Sequence, residues 1–364
     1  MKCYKVLFEK DGIITNIGFF ILLIIIFIYI ICSIYFYLKG YYILYNDIKK
    51  INIFKNRKIP KKYKNKNKKN IKIKKTKKNF PPKKINKNSI KFNKNKSSNK
   101  SSRITLIENS LINNLSKINN ITTQNSQAKK KTNKIMEYND SELNILEYEI
   151  ALKLDKRSFF QYYKSLLRTK HLLLFAILPS NDYNSMVIKF CIFLFTFSLY
   201  YTINALFYTD SIFHTIYLEK GEYDFIYQLP KIIYSTLISF VVNVIIKYLS
   251  LSEKRILEFK RLDYSKNITL KMNELVKNLK IRFILFYAIS FLYLFFFWFY
   301  LSCFCAVYKN TQIHLIKDTL ISFGISLLYP LGLYLLPGIF RIPSLKNSNN
   351  RSMYNLSKYI QLLM

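Results

Sequence analysis

The residues of this chain whose types and spacing invite a chemical reading are Ser235, Ser239, Asn243 and Lys247, polar side chains spaced by four in an otherwise apolar stretch. That spacing places them in one gently drifting row along a helix. Polar groups inside a bilayer cost free energy and face a partner or a wet cavity. The row therefore has two readings. It is the wall of a polar conduit, or it is a packing seam in which small hydroxyls allow close approach, Asn243 hydrogen-bonds a neighbour and Lys247 snorkels to the interface. No carboxylate falls within the apolar runs to balance Lys247, because Asp210, Glu253 and Asp318 lie at their ends. A second feature is a candidate helix break at Pro330 and Pro337, where two prolines interrupt the hydrogen-bond ladder among Ser322, Gly324, Ser326, Gly332 and Gly338. Broken spans coordinate ions in transporters, yet Pro and Gly also occur in ordinary spans, and no inverted repeat accompanies this one.

Catalytic and metal chemistry have less to draw on. The three histidines, His171, His214 and His314, belong to no HExxH pair, and the chain has no nucleophile elbow, P-loop or dinucleotide fingerprint. His214 and His314 are expected on the same outer side, near Asp210, Glu219, Glu222, Asp224 and Asp318, without a spacing that fixes ligand geometry. The five cysteines form no CxxC pair, and Cys303 and Cys305, following Trp298, read as small apolar packers. The expectation is a non-enzymatic protein with no catalytic, cofactor-binding or metal site.

The elements that must position these residues are long apolar runs. With 51% hydrophobic residues, 17% aromatic residues and a net charge of +38, the composition suits a membrane protein and a nucleic-acid binder at once, but the two signals occupy different stretches. Residues 17–38 are uncharged and long enough to cross the roughly 30 Å hydrocarbon core. No small-residue cleavage site follows, so they read as an anchor, not a signal peptide. Further spans are expected at about 190–208, 232–251, 283–308 and 319–340, a four-helix bundle within 186–340. Between Asp47 and Glu108 there is no acidic residue. The Lys/Asn-rich stretch 39–137 cannot bury a core and is expected to be a disordered linker. Its segment from Lys49 to Lys100 reads either as a solvated low-complexity insertion produced by a Lys/Asn/Ile compositional bias or as a binder of anionic lipid, each Lys or Arg being worth about 1 kcal/mol near a charged leaflet. Specific nucleic-acid binding is disfavoured, since Tyr63, Phe80 and Phe92 are too sparse to stack bases.

Order is expected to resume at Asn139-Asp140-Ser141-Glu142, a capping cluster before Leu143, Leu146, Ile150, Ala151 and Leu154. Amphipathic cytosolic or interfacial helices then fill 138–178, with Ser158 capping a basic one and Leu172 to Leu178 dipping into the interface. Loop 252–282 holds nine Lys and Arg, whereas 209–230 holds only Lys220 and 309–318 only Lys309 and Lys317. By the positive-inside rule the short N-terminus 1–16 is extracytosolic, and the basic tail 341–364, with Arg341, Lys346, Arg351 and Lys358, is cytosolic. The sequons from Asn99 to Asn355 would then face the cytosol and carry no glycan.

Several signatures resemble a module in uncharacterised multipass transmembrane proteins of ciliates and other protists. They are Asp155-Lys156-Arg157, Tyr162-Tyr163 through Leu166-Leu167 to Lys170-His171, Asn204-Ala205-Leu206-Phe207, and Val307-Tyr308 with Asn310-Thr311-Gln312 leading to Asp318. The resemblance covers about 146–341 and implies a multipass architecture without family chemistry to transfer. The fold class expected is all-α, a multipass helical membrane protein of about five transmembrane helices. Its expected role is a membrane anchor or scaffold whose partners are the bilayer and anionic lipid, oligomerisation being open. The alternative is a channel or small-solute transporter using the polar row.

Overall fold

A computed structural model describes residues 3–57, 138–218, 225–262, 267–346 and 350–363. The described chain is all-α, and five of its helical stretches are long and apolar enough to cross a membrane: Ile17–Ile53, Met186–Leu206, Leu229–Ser250, Ile268–Val307 and Lys309–Lys346. Residues Met1–Lys49 and Tyr138–Met364 form one compact unit, and Lys50–Glu137 a second. The disorder expected of 58–137, and with it most of the Lys49 to Lys100 segment, lies outside the described residues.

Two short helices, α1 (Cys3–Leu7) and α2 (Lys10–Ile14), precede α3 (Ile17–Tyr35). The Asn16 side chain caps α3 by accepting from the Phe19 amide. The basic linker expected from residue 39 does not begin there: helix runs on through a π-turn at Phe36–Gly40 into α4 (Tyr41–Arg57). Leu44 and Ile48, one turn apart, hold α4 by packing on a seam with Val276 and Leu279.

The stretch expected to hold one capped helix after Asn139 holds two, α5 (Asp140–Asn144) and α6 (Tyr148–Leu154), and Asn139 with Glu142 forms a full capping box. Then come α7 (Phe159–Lys170), capped reciprocally by Ser158 and Gln161, and α8 (Leu172–Ile177). The spans follow as α9 (Met186–Leu206), with α10 (Asp210–Leu218) after it, and α11 (Phe225–Ser250). The 252–282 stretch, expected as a loop, is largely helical. It contains α12 (Glu253–Arg261) and the first turns of the 40-residue α13 (Ile268–Val307). At 1.5 Å per residue α13 is roughly 60 Å long, twice a hydrocarbon core. Its apolar Ile268, Met272 and Leu279 stay buried while the intervening charges point outward. The last span is α14 (Gln312–Leu333), followed by α15 (Leu336–Lys346) and α16 (Arg351–Leu363).

Helix α9 is the axis. It packs on α3, α8, α11, α13 and α14, and 67% of its apolar window is buried against 22% to 33% for the other four spans. Those four turn much of their apolar surface outward, as lipid-facing helices must. Aromatic edges lock α3 and the π-turn after it to α13, with Phe36 and Phe283 centroids 5.1 Å apart at 75° and Tyr29 and Phe291 5.2 Å apart at 84°. Close backbone approach closes two other contacts. A Cβ on Gly18 would lie 2.6 Å from the Cys305 sulfur, and one on Gly338 would lie 2.7 Å from the Phe159 ring.

Candidate functional site

The polar row on α11 turns toward α9. Ser235 and Ser239 are fully buried, and the Ser235 hydroxyl donates back to the Ile232 carbonyl at 3.0 Å. Asn243 Oδ1 accepts from Thr196 Oγ1 at 2.8 Å, and Thr196 also reaches its own Ile192 carbonyl at 2.7 Å. Farther along α9, Asn204 donates to Ser322 Oγ on α14 at 2.7 Å. Ser239 Oγ, Asn204 Oδ1 and Ser302 Oγ are buried with no hydrogen-bond partner among the described residues. Lys247, half-buried near the end of α11, is separate from these contacts.

Of the two prolines, Pro330 sits inside α14 and Pro337 is the second residue of α15. Helical geometry lapses between them, at Tyr334 and Leu335, where the Tyr334 amide reaches the Pro330 carbonyl at 2.9 Å. Pro337 occupies a first-turn position whose amide would lack an intrahelical partner anyway.

One expectation needs correction. Asp318 does not lie at a helix end, because α14 begins at Gln312 and Asp318 is buried in its second turn. Its carboxylate accepts from Tyr208 Oη at 2.7 Å and pairs with Lys231 of α11, whose ammonium lies 4.4 Å from the Tyr208 ring centroid. This inserted carboxylate thus neutralises Lys231, at the opposite end of α11 from Lys247.

The end of the bundle bearing residues 138–178 is sealed by further buried ion pairs. Arg341, counted above in a basic cytosolic tail, is 0% exposed. Its guanidinium donates to Asp155 Oδ2 at 2.9 Å and 3.2 Å, to the Leu143 carbonyl at 2.6 Å and to the Asn144 carbonyl at 3.3 Å. It lies between the Tyr162 and Tyr354 rings, 5.1 Å and 4.7 Å from their centroids. Arg157 grips the same carboxylate in a bidentate pair at 2.7 Å and 2.9 Å. Burial pushes the Asp155 carboxyl up, but Arg157 and Arg341 outweigh it and hold the group below its usual range.

Lys260 pairs with Glu142 at 2.7 Å, and Lys189 reaches Asp182 at 2.7 Å and Ser180 at 2.6 Å. Glu253 accepts from Ser141 at 3.0 Å, Asn139 at 3.2 Å and Asn184 at 3.4 Å. Burial first, then the neighbouring Asp182 carboxylate, pushes Glu253 up to about 7 against those hydrogen bonds. Beside it lies a cavity of about 250 Å³ lined by Tyr35, Asp47, Asp182 and Asn184 among others.

The histidines do not converge. His171 caps α8 and contacts the Leu327 carbonyl through Nε2 at 2.7 Å, His214 is exposed and His314 half-buried. Among the described residues no three His, Cys, Asp or Glu side chains gather in a metal-holding group. The arrangement is suited to fastening helices together: each deeply buried cation described above meets a carboxylate or a carbonyl. Sequence reasoning missed the Arg341–Asp155 and Lys231–Asp318 pairs, whose members stand 186 and 87 residues apart. The available signal was the isolated charges within otherwise apolar or amphipathic helices, which in a buried setting require a partner.

No family model, curated protein or solved structure matches the chain.

Proposed function

We propose that this protein is a non-enzymatic membrane anchor or scaffold, with its N-terminus extracytosolic and its C-terminus cytosolic. The observation that carries the reading is the destination of its polar groups. Asn243 serves the α9–α11 contact through Thr196, and Arg341, Lys260 and Lys189 fasten a helical layer onto one end of the bundle. A rigid platform follows from such fastening, and the Lys49 to Lys100 segment supplies the charge for anionic lipid or acidic protein. Deleting Lys49 to Lys100 is the test. Salt-dependent binding of acidic partners or anionic vesicles disappears if the reading is right, and binding unchanged at low salt contradicts it.

A channel or transporter is the second reading, favoured by the unpartnered buried oxygens of Ser239, Asn204 and Ser302. Atoms of that kind line wet pathways. It requires that Asn243→Leu or Lys247→Leu abolish flux while insertion stays normal.

A further inference from the structure

Helix α16 is built the wrong way round for a helix in water. Tyr354, Ser357 and Gln361 lie one turn apart on the face that packs against the layer, and all three are buried. Met353, Leu356, Tyr359 and Leu363 recur at the same three-to-four spacing on the opposite face and are exposed. Leu362 and Leu363 are 79% and 84% exposed. A surface helix in water turns such a stripe inward and leaves serine and glutamine to solvent. An outward apolar stripe marks a contact surface.

The partner follows from the depth at which α16 ends. Gln312, the first residue of α14, accepts from the Ile17 amide through Oε1 at 2.8 Å, so α14 starts level with the uncharged run 17–38. Leu331 is 19 residues into α14, roughly 28 Å from its start and close to one hydrocarbon thickness. Helix α7 is fixed at that depth. Tyr163 Oη donates to the Leu331 carbonyl at 3.0 Å, and His171 Nε2 meets the Leu327 carbonyl at 2.7 Å. The last turn of α16 is in turn tied to α7: Tyr162 Oη donates to Gln361 Oε1 at 3.4 Å, and Lys170 Nζ donates to the Gln361 backbone carbonyl. Leu362 and Leu363 therefore stand beside the boundary between acyl chains and headgroups. Charge agrees with that position. Neither α15 nor α16 contains Asp or Glu, and Lys346 and Arg351 are exposed on either side of their junction, a distribution that suits lipid phosphate.

We propose that α16 is an interfacial membrane helix whose last turns, through Tyr359, Leu362 and Leu363, insert into the leaflet at the layered end of the bundle. The inference rests on the five spans crossing a bilayer and not on the Lys49 to Lys100 segment, so its failure leaves the anchor reading standing.

The test places a tryptophan on the stripe of the full-length protein, reconstituted in lipid nanodiscs that hold one or two copies. Leu362→Trp and Leu363→Trp are read as differences from the wild type, whose one tryptophan is Trp298. Lipids brominated near the headgroup end of the acyl chain and aqueous iodide are the two quenchers. The added tryptophan should lose most of its emission to the brominated lipid, equally in both kinds of disc, and iodide should quench it several-fold less than a free tryptophan amide. Strong iodide quenching without lipid quenching puts the stripe in water and overturns the proposal. Protection from both quenchers means that protein covers the stripe, and overturns it too. Lipid quenching that disappears in two-copy discs assigns the stripe to a second copy of the chain instead of lipid. Each substitution reports separately, so a variant that does not fold leaves the other to decide.

Discussion

Asp155→Asn should loosen the helical layer more than any other change of similar size. The substitution keeps the shape of the side chain and removes the one carboxylate shared by Arg341 and Arg157, leaving the fully buried Arg341 with neutral acceptors and aromatic rings but no counter-charge. Uncompensating a buried ion pair costs about 3–5 kcal/mol, and even 3 kcal/mol raises the population of the opened layer more than 100-fold. Limited trypsin digestion of the native protein reads that population at Lys346 and Arg351, which flank the α15–α16 junction, provided opening is fast relative to cleavage. Cleavage there should accelerate by two orders of magnitude. Arg157→Gln should have a smaller effect, because it leaves the Arg341–Asp155 pair intact. Asp155→Leu combined with Arg341→Met should recover much of the loss, since the uncompensated charge is gone. The acid dependence has a definite sign. Asp155 is held below its ordinary value of 3.8, so its contribution is fully present above that pH and is lost only as the pH falls through the folded value. A cleavage rate for Asp155→Asn within twofold of wild type would refute the argument that this carboxylate organises the layer.

Three other outcomes are expected. Glu253 is raised from 4.5 to about 7, so the stability it contributes is complete below pH 4.5 and is lost as the pH rises through 7. Glu253→Gln should match wild type in thermal unfolding at pH 4.5 and exceed it by roughly 2 kcal/mol at pH 8, and equal pH profiles would contradict this. Gly338→Val forces a side chain against the Phe159 ring and should cost about 1–3 kcal/mol, whereas Gly324→Ala, with nothing within 4 Å of its Cβ, should be tolerated; thermal melts in detergent compare the two. Asn243→Leu removes one interhelical hydrogen bond while Thr196 keeps its bond to Ile192, so its cost in the same melts should stay near 0.6–1.7 kcal/mol.

The spans were legible because an uncharged run of about 20 residues has few uses other than crossing a bilayer. Their full lengths were not. Helix α13 begins at Ile268, where Lys271, Glu274, Lys277 and Lys280 hide the apolar Ile268, Met272 and Leu279 from any window average. The continuation of α3 into α4 was concealed in the same way by Lys49 and Lys50. Counting Lys and Arg near membrane ends placed Arg341 in a basic tail, and the apolar runs left Asp318 at the end of one, because composition records a charge and not its partner. The polar row of Ser235, Ser239 and Asn243 could be read from spacing alone, but the helix it meets could not. Thr196 stands 47 residues away in sequence and looks like any other polar residue of an apolar run.

The central claim is that the interior polar groups of this bundle bind helices to one another. Flux through proteoliposomes of the purified, folded protein tests it most directly, with monovalent cations, anions and calcium compared against protein-free vesicles. The account predicts no flux above the protein-free background. Selective flux that Asn243→Leu abolishes without disturbing insertion would contradict it and make the α11 row the wall of a pathway.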